Sequence, residues 1–190
     1  MRHSPRTSIF IWIIFLNNLQ WNIAAKVKTK VVLFQNATTF HNPDYFNRYD
    51  ISFSEDHQSM DCDTMLIRNI TEPLWDKFSV EMKLKKDNNY RVLVTYVFNV
   101  CDILGKSFKE STSLFGLWAQ NMLKYGNLPK SCPILANLYS WHNFRIERTS
   151  IPPMVLNGYY RLNITNFLKR PQGNVIITDS TMIMVVKMKY

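Results

Sequence analysis

Residues 78–85 read Phe78-Ser79-Val80-Glu81-Met82-Lys83-Leu84-Lys85, an uninterrupted alternation of apolar and polar side chains. Successive side chains of a strand point to opposite faces. Phe78, Val80, Met82 and Leu84 therefore share one face, and Ser79, Glu81, Lys83 and Lys85 the other. Such a segment is a strand with one face in a core and one in water. Asp87-Asn88-Asn89 follows, a cluster of side chains that tolerate the left-handed conformations of turns. Residues 90–100 resume the alternation, with Tyr90, Val92, Val94, Tyr96 and Phe98 on one face. Together the segments predict an antiparallel hairpin, and that hairpin sets the fold class.

Downstream the period changes once. Ser111-Thr112-Ser113 offers N-caps before Leu114, Phe115, Leu117, Trp118, Met122 and Leu123, which recur at three- and four-residue spacing. One amphipathic helix is expected over 112–125, with Gly126 as a left-handed C-terminal cap and Pro129 forbidding continuation. Strand signals then return. Tyr139 and Trp141 share one parity while Phe144 and Ile146 share the other, which predicts a bulge near Asn143. Ile151-Pro152-Pro153 is a break. Gly158 opens a run with Tyr160, Leu162 and Ile164 on one face and Arg161, Asn163 and Thr165 on the other. Pro171-Gln172-Gly173-Asn174 turns the chain into an alternation of Met182, Met184, Val186 and Met188. Several strands, one helix and no βαβ rhythm predict a mainly β protein, an antiparallel sandwich.

The N-terminus reads as an address. Arg2, His3 and Arg6 precede the apolar run of residues 9–16, and Ala24-Ala25 supplies small residues for scission. This is the anatomy of a secretory signal peptide over residues 1–25, and the run is too short for the roughly 20 residues of a membrane span. An uncleaved anchor is the alternative. Residues 26–190 are expected to form one soluble domain, since no later window is apolar for long enough to span a bilayer and no linker or repeat divides the chain. Asn36-Ala37-Thr38, Asn69-Ile70-Thr71 and Asn163-Ile164-Thr165 are acceptor sequences for N-linked glycans, consistent with export.

Composition narrows the partners. The 190 residues are 46% hydrophobic and carry only 5 Gly, which excludes wholesale disorder and collagen-like sequence. Formal net charge is +9, falling to +7 without residues 1–25 because Arg2 and Arg6 leave and no acid does. In a secreted glycoprotein that charge points to anionic membrane surfaces, acidic partners or a receptor. Nucleic acid is excluded as a partner by compartment and by the scatter of the lysines. The soft apolar content, 9 Met with 12 Phe, 9 Tyr and 5 Trp, suits either a filled core or a cavity for flexible ligands.

Chemistry-bearing patterns are sparse. His41, His57 and His142 stand apart from any partner at metal-ligand spacing, so no metal is implied. Hydrolase and dinucleotide-binding motifs do not occur. Gly105-Lys106-Ser107 resembles the end of a phosphate-binding loop, but Val100 occupies the place of its first glycine. The acidic run Glu55-Asp56…Asp61-Cys62-Asp63 reads as a solvated loop. No enzyme and no cofactor are expected.

Three segments carry a family resemblance: Tyr90-Arg91…Tyr96…Asn99-Val100-Cys101-Asp102-Ile103-Leu104; Tyr125-Gly126-Asn127-Leu128-Pro129-Lys130-Ser131-Cys132-Pro133-Ile134; and Ile151-Pro152-Pro153…Leu156…Gly158-Tyr159-Tyr160-Arg161. They resemble the insect family catalogued as domain of unknown function 1091. That family is similar to the ML lipid-recognition proteins, the ganglioside activator protein and insect chemosensory proteins. The resemblance implies an immunoglobulin-like, ML-like β-sandwich whose sheets part around a lipid, with no catalytic residues. It also implies a disulfide between Cys101 and Cys132. Upstream the chain departs, having only Cys62 where relatives often carry two cysteines; Cys62 is then either a buried thiol or the source of an intermolecular bridge.

The expected function is a secreted glycoprotein that carries a hydrophobic, lipid or pheromone-like ligand between two sheets. The expected wall comprises Phe78, Val80, Met82, Tyr96, Phe98, Trp118, Leu162, Met182 and Met184, with peripheral Lys or Arg orienting an anionic head. The alternative is a secreted protein–protein interaction module with a filled core. An extracellular hydrolase assembled from scattered residues is the third class.

Overall fold

The computed structural model describes residues 29–189, apart from 85, 87, 105–121, 149–150 and 152–153. Residues 1–25 therefore lie outside the described residues, as does most of the expected 112–125 helix with Trp118 and the break at Pro152-Pro153. Lys30–Lys189 form one unit.

Eight strands are present: β1 (Thr29–His41), β2 (Phe46–Phe53), β3 (Met60–Leu66), β4 (Leu74–Lys83), β5 (Arg91–Asn99), β6 (Asn137–Phe144), β7 (Gly158–Arg170) and β8 (Gly173–Lys189). They form a five-stranded sheet, β1-β8-β7-β4-β5, and a three-stranded sheet, β2-β3-β6. Every pairing among β4, β5, β7 and β8, and among β2, β3 and β6, is antiparallel. Residues of both sheets enter one buried cluster: Phe34, Tyr160, Leu162 and Met182 from the larger sheet, Met60 and Phe144 from the smaller. The fold is mainly β and antiparallel, with the two sheets sharing a core.

The predicted hairpin is β4–β5, and its inner face is Phe78, Val80 and Met82 from β4 with Val94, Tyr96 and Phe98 from β5. A bulge after Val80 changes the register, so Val92 pairs with Glu81 and leaves the face on which simple alternation puts it. The outer face is polar for a reason visible in its bonds. Arg161 pairs with Glu81, which also accepts from Asn163 Nδ2 at 3.1 Å, and Asn163 Oδ1 accepts from Thr181 at 2.9 Å. β5 ends at Asn99, whose Oδ1 accepts from the Cys101 amide at 2.9 Å and caps a short helix α1, Val100–Leu104.

The parity change in residues 139–146 is the expected bulge. Asp61 alone stands opposite His142 and Asn143, because Met60 pairs with Phe144 and Cys62 with Trp141. Asn143 takes a left-handed φ of 54°, and its amide donates to Asp61 Oδ1 at 2.7 Å. The acidic run is not one solvated loop. Glu55 and Asp56 occupy the β2–β3 turn, but Asp61-Cys62-Asp63 belongs to β3, with the acids outward and Cys62 inward. Strand alternation accommodates both acids while burying the residue between them. The same turn reaches β1: the Phe34 amide donates to His57 O and His57 Nδ1 to Phe34 O, both at 2.8 Å.

Gly126 has a different role from the expected cap. Its backbone bridges Trp141, and a Cβ there would sit 2.0 Å from Ser140 O. Asn127 secures the contact, its Oδ1 accepting from the Ser140 amide at 2.6 Å and its Nδ2 donating to Leu138 O at 2.8 Å. Close backbone approach, not a left-handed conformation, demands glycine here. Gly126→Ala is expected to cost about 2 kcal/mol or more through forced displacement of β6; thermal unfolding of the two proteins measures it.

Cys101 and Cys132 form the disulfide that the resemblance implies, closing a separation of 31 residues. A loop of that length is worth about 3–4 kcal/mol in the chain-entropy account. Cys62 is free and 1% exposed, and burial drives its thiol well above the ordinary range. The thiolate is the reactive form. Native protein is therefore expected to resist iodoacetamide at Cys62 and to react stoichiometrically in denaturant, as read by peptide mass spectrometry.

Candidate functional site

Between the sheets lies a cavity of about 180 Å³, walled chiefly by apolar side chains. From β4, β7 and β8 come Phe78, Leu162, Ile164, Met182 and Met184; from the other strands come Phe34, Ile51, Met60, Trp141 and Phe144. Each of the contributing strands presents alternate residues inward, so the cavity is where two alternating faces meet without filling the space between them. A second cavity, of about 200 Å³, lies toward Leu66, Leu74, Ile134 and Ile177. Tyr49, Trp141 and Asn166 line both.

Of the expected wall, Phe78, Leu162, Met182 and Met184 line the first cavity. Val80 and Met82 are partly buried against the same cluster without reaching the lining. Phe98 is half-buried on β5. Tyr96 sits on the edge strand and is 52% exposed. Trp118 is outside the described residues. Asn36 and Asn69 are exposed, whereas Asn163 is half-buried in the Glu81–Arg161 network of the outer face.

The lining includes polar residues that periodicity does not single out. Asp76 precedes the alternating run by two residues and so falls on its inward face, between Phe98 of β5 and Asn166 of β7. Thr178 is next in that row, and accepts from Asn166 Nδ2 at 2.9 Å. Across the gap Tyr49 lies half-buried near Ser180, and desolvation drives its phenol far above the ordinary range. A polar belt thus crosses the interior between the two apolar clusters, one around Phe34 and Leu162 and the other around Leu66 and Leu168.

Burial pushes the Asp76 carboxyl up to about 7. Unfolded, the group titrates near 3.9. Between these values the folded protein holds the extra proton, so this residue's contribution makes stability fall as pH rises from about 4 to 7 and keeps it depressed above. Asp76→Asn, which cannot ionise, is expected to gain on the wild type as pH rises through that window and to hold the gain at pH 8. Urea denaturation across the pH series checks this; a difference that does not vary with pH would contradict it.

The residues bearing on chemistry are otherwise dispersed. Among the described residues no group of three or more His, Cys, Asp or Glu is placed to hold a metal ion. No helix among them is long and apolar enough to cross a membrane. A search of curated proteins returns no match to the chain. The segment from β4 to the middle of β7, which holds the disulfide and part of the cavity wall, is the part with a known relation. Over residues 77–162 the chain matches the family described as Protein of unknown function (DUF1091).

Proposed function

We propose that this chain is a secreted, glycosylated, non-enzymatic carrier that holds a hydrophobic small molecule or lipid between its two sheets. The observation that carries the reading is the cavity of about 180 Å³ bounded by Phe34, Met60, Phe78, Leu162, Met182 and Met184. A cavity of about 150 Å³ lined by aliphatic and aromatic side chains is large enough to take up benzene. Binding there draws on apolar burial, about 0.8 kcal/mol for each methylene removed from water. The methionines favour it further, since a thioether side chain repacks around ligands of different shape. The signal-peptide anatomy and three glycan acceptor sequences support export, and the similarity of the family to ML lipid-recognition proteins supports a lipid-like ligand.

Native mass spectrometry of the secreted protein before and after delipidation tests the proposal, together with uptake of a fluorescent fatty acid. A co-purifying ligand, or uptake by the stripped protein, is the expected result. Finding neither would overturn it. Ile164→Phe, which adds bulk at a half-buried position on the cavity wall, is expected to reduce uptake severalfold while leaving the circular dichroism spectrum unchanged.

A second reading, an extracellular interaction module, is favoured by one observation. The edge strand β5 exposes Val92, Leu93, Tyr96 and Val97, each more than half accessible. Exposed apolar edges pair readily with other chains.

A further inference from the structure

Two side-chain polar atoms, Asp76 Oδ1 and Trp141 Nε1, are buried without a hydrogen-bond partner among the described residues. Each such atom costs about 1–3 kcal/mol, and folded proteins leave few of them. Both residues wall the same cavity, one from the larger sheet and one from the smaller. Beside them Asn166 Nδ2 donates to Thr178, and Tyr49 stands near Ser180. What these two residues leave unmet is one carboxyl oxygen and one indole N–H.

We propose that the cavity selects a neutral amphiphile bearing a hydroxyl, an alcohol seated head-inward, which donates to Asp76 Oδ1 and accepts from Trp141 Nε1. The assignment rests on the carrier reading above and specifies the ligand class. Other head groups leave a mismatch. An ether or ketone accepts from Trp141 but cannot donate to Asp76. An ammonium donates to Asp76 but offers no acceptor to the indole. Above pH 7, where Asp76 is ionised, a carboxylate brings a second negative charge beside the first in a site of low dielectric, where like charges repel strongly. Of these head groups only the hydroxyl supplies both complements without charge. The apolar remainder of the molecule lies against Phe78, Leu162 and Met182. This orientation is the reverse of a carrier that fixes an anionic head with peripheral lysines.

The test is calorimetric titration at pH 8, where Asp76 is ionised, of the full, delipidated chain with 1-decanol, methyl nonyl ether and decanoate, the first two having equal numbers of heavy atoms. The wild type is expected to bind decanol at least about tenfold more tightly than the ether, the equivalent of one lost hydrogen bond, and more tightly than decanoate. In Trp141→Phe and Asp76→Leu the alcohol and ether affinities are expected to converge while the ether still binds. Either variant suffices where the other fails to fold. Equal affinities in the wild type, tighter binding of decanoate, or an unchanged preference in the variants would overturn the assignment. Ether binding without alcohol preference sinks only this assignment, whereas no binding by any of the three removes the carrier reading with it.

Discussion

The antiparallel ladder between β4 and β7 is the constraint on which the rest depends. It runs without interruption from Leu74 opposite Leu168 to Lys83 opposite Tyr159. A slip of one residue would turn Phe78, Val80 and Met82 to solvent and drive Glu81 into the core. Both faces hold the same register. Inside, Phe78 and Leu162 belong to one cavity wall; outside, Arg161 and Asn163 both bond Glu81. Agreement between the apolar face and the polar face is what makes one alignment win over its neighbours.

Within that ladder one position works against stability. Asp76 stands on the apolar face, opposite Asn166, where a valine or leucine would bury area at no electrostatic cost. Its carboxyl instead loses hydration, and its Oδ1 gains no protein partner among the described residues. With Tyr49, Asn166, Thr178 and Ser180 it separates two apolar clusters that would otherwise merge. Local departures from the rules of good packing are commonest where a protein handles something besides itself.

How much of this can be read along the chain follows from which forces are local. β4, β7 and β8 announce themselves because each alternates strictly over many residues, and the parity change between Trp141 and Phe144 discloses the bulge at Asn143. β3 does not, since its acids, Asp61 and Asp63, suggest solvent while the backbone between them carries a buried cysteine. Asp76 is concealed for the same reason: an acid beside an apolar run suggests its end, although Leu74-Trp75-Asp76-Lys77-Phe78 keeps the period. Gly126 is conspicuous, but its reason, the approach of β6, involves a strand more than ten residues away. That Trp141 is inward is legible; that its N–H lacks a partner is a property of three dimensions. The Cys101–Cys132 pairing came from family resemblance, since spacing cannot choose among three cysteines.

The sequestration of Cys62 has a consequence for how the chain reaches its oxidised form. Three thiols admit three pairings, and two of them involve Cys62. Once the two sheets share their core, that sulfur is inaccessible to either partner. Only the Cys101–Cys132 bond then remains available. The packed fold thus constrains the redox chemistry of the chain: in the folded state Cys101–Cys132 is the pairing that the buried Cys62 leaves open.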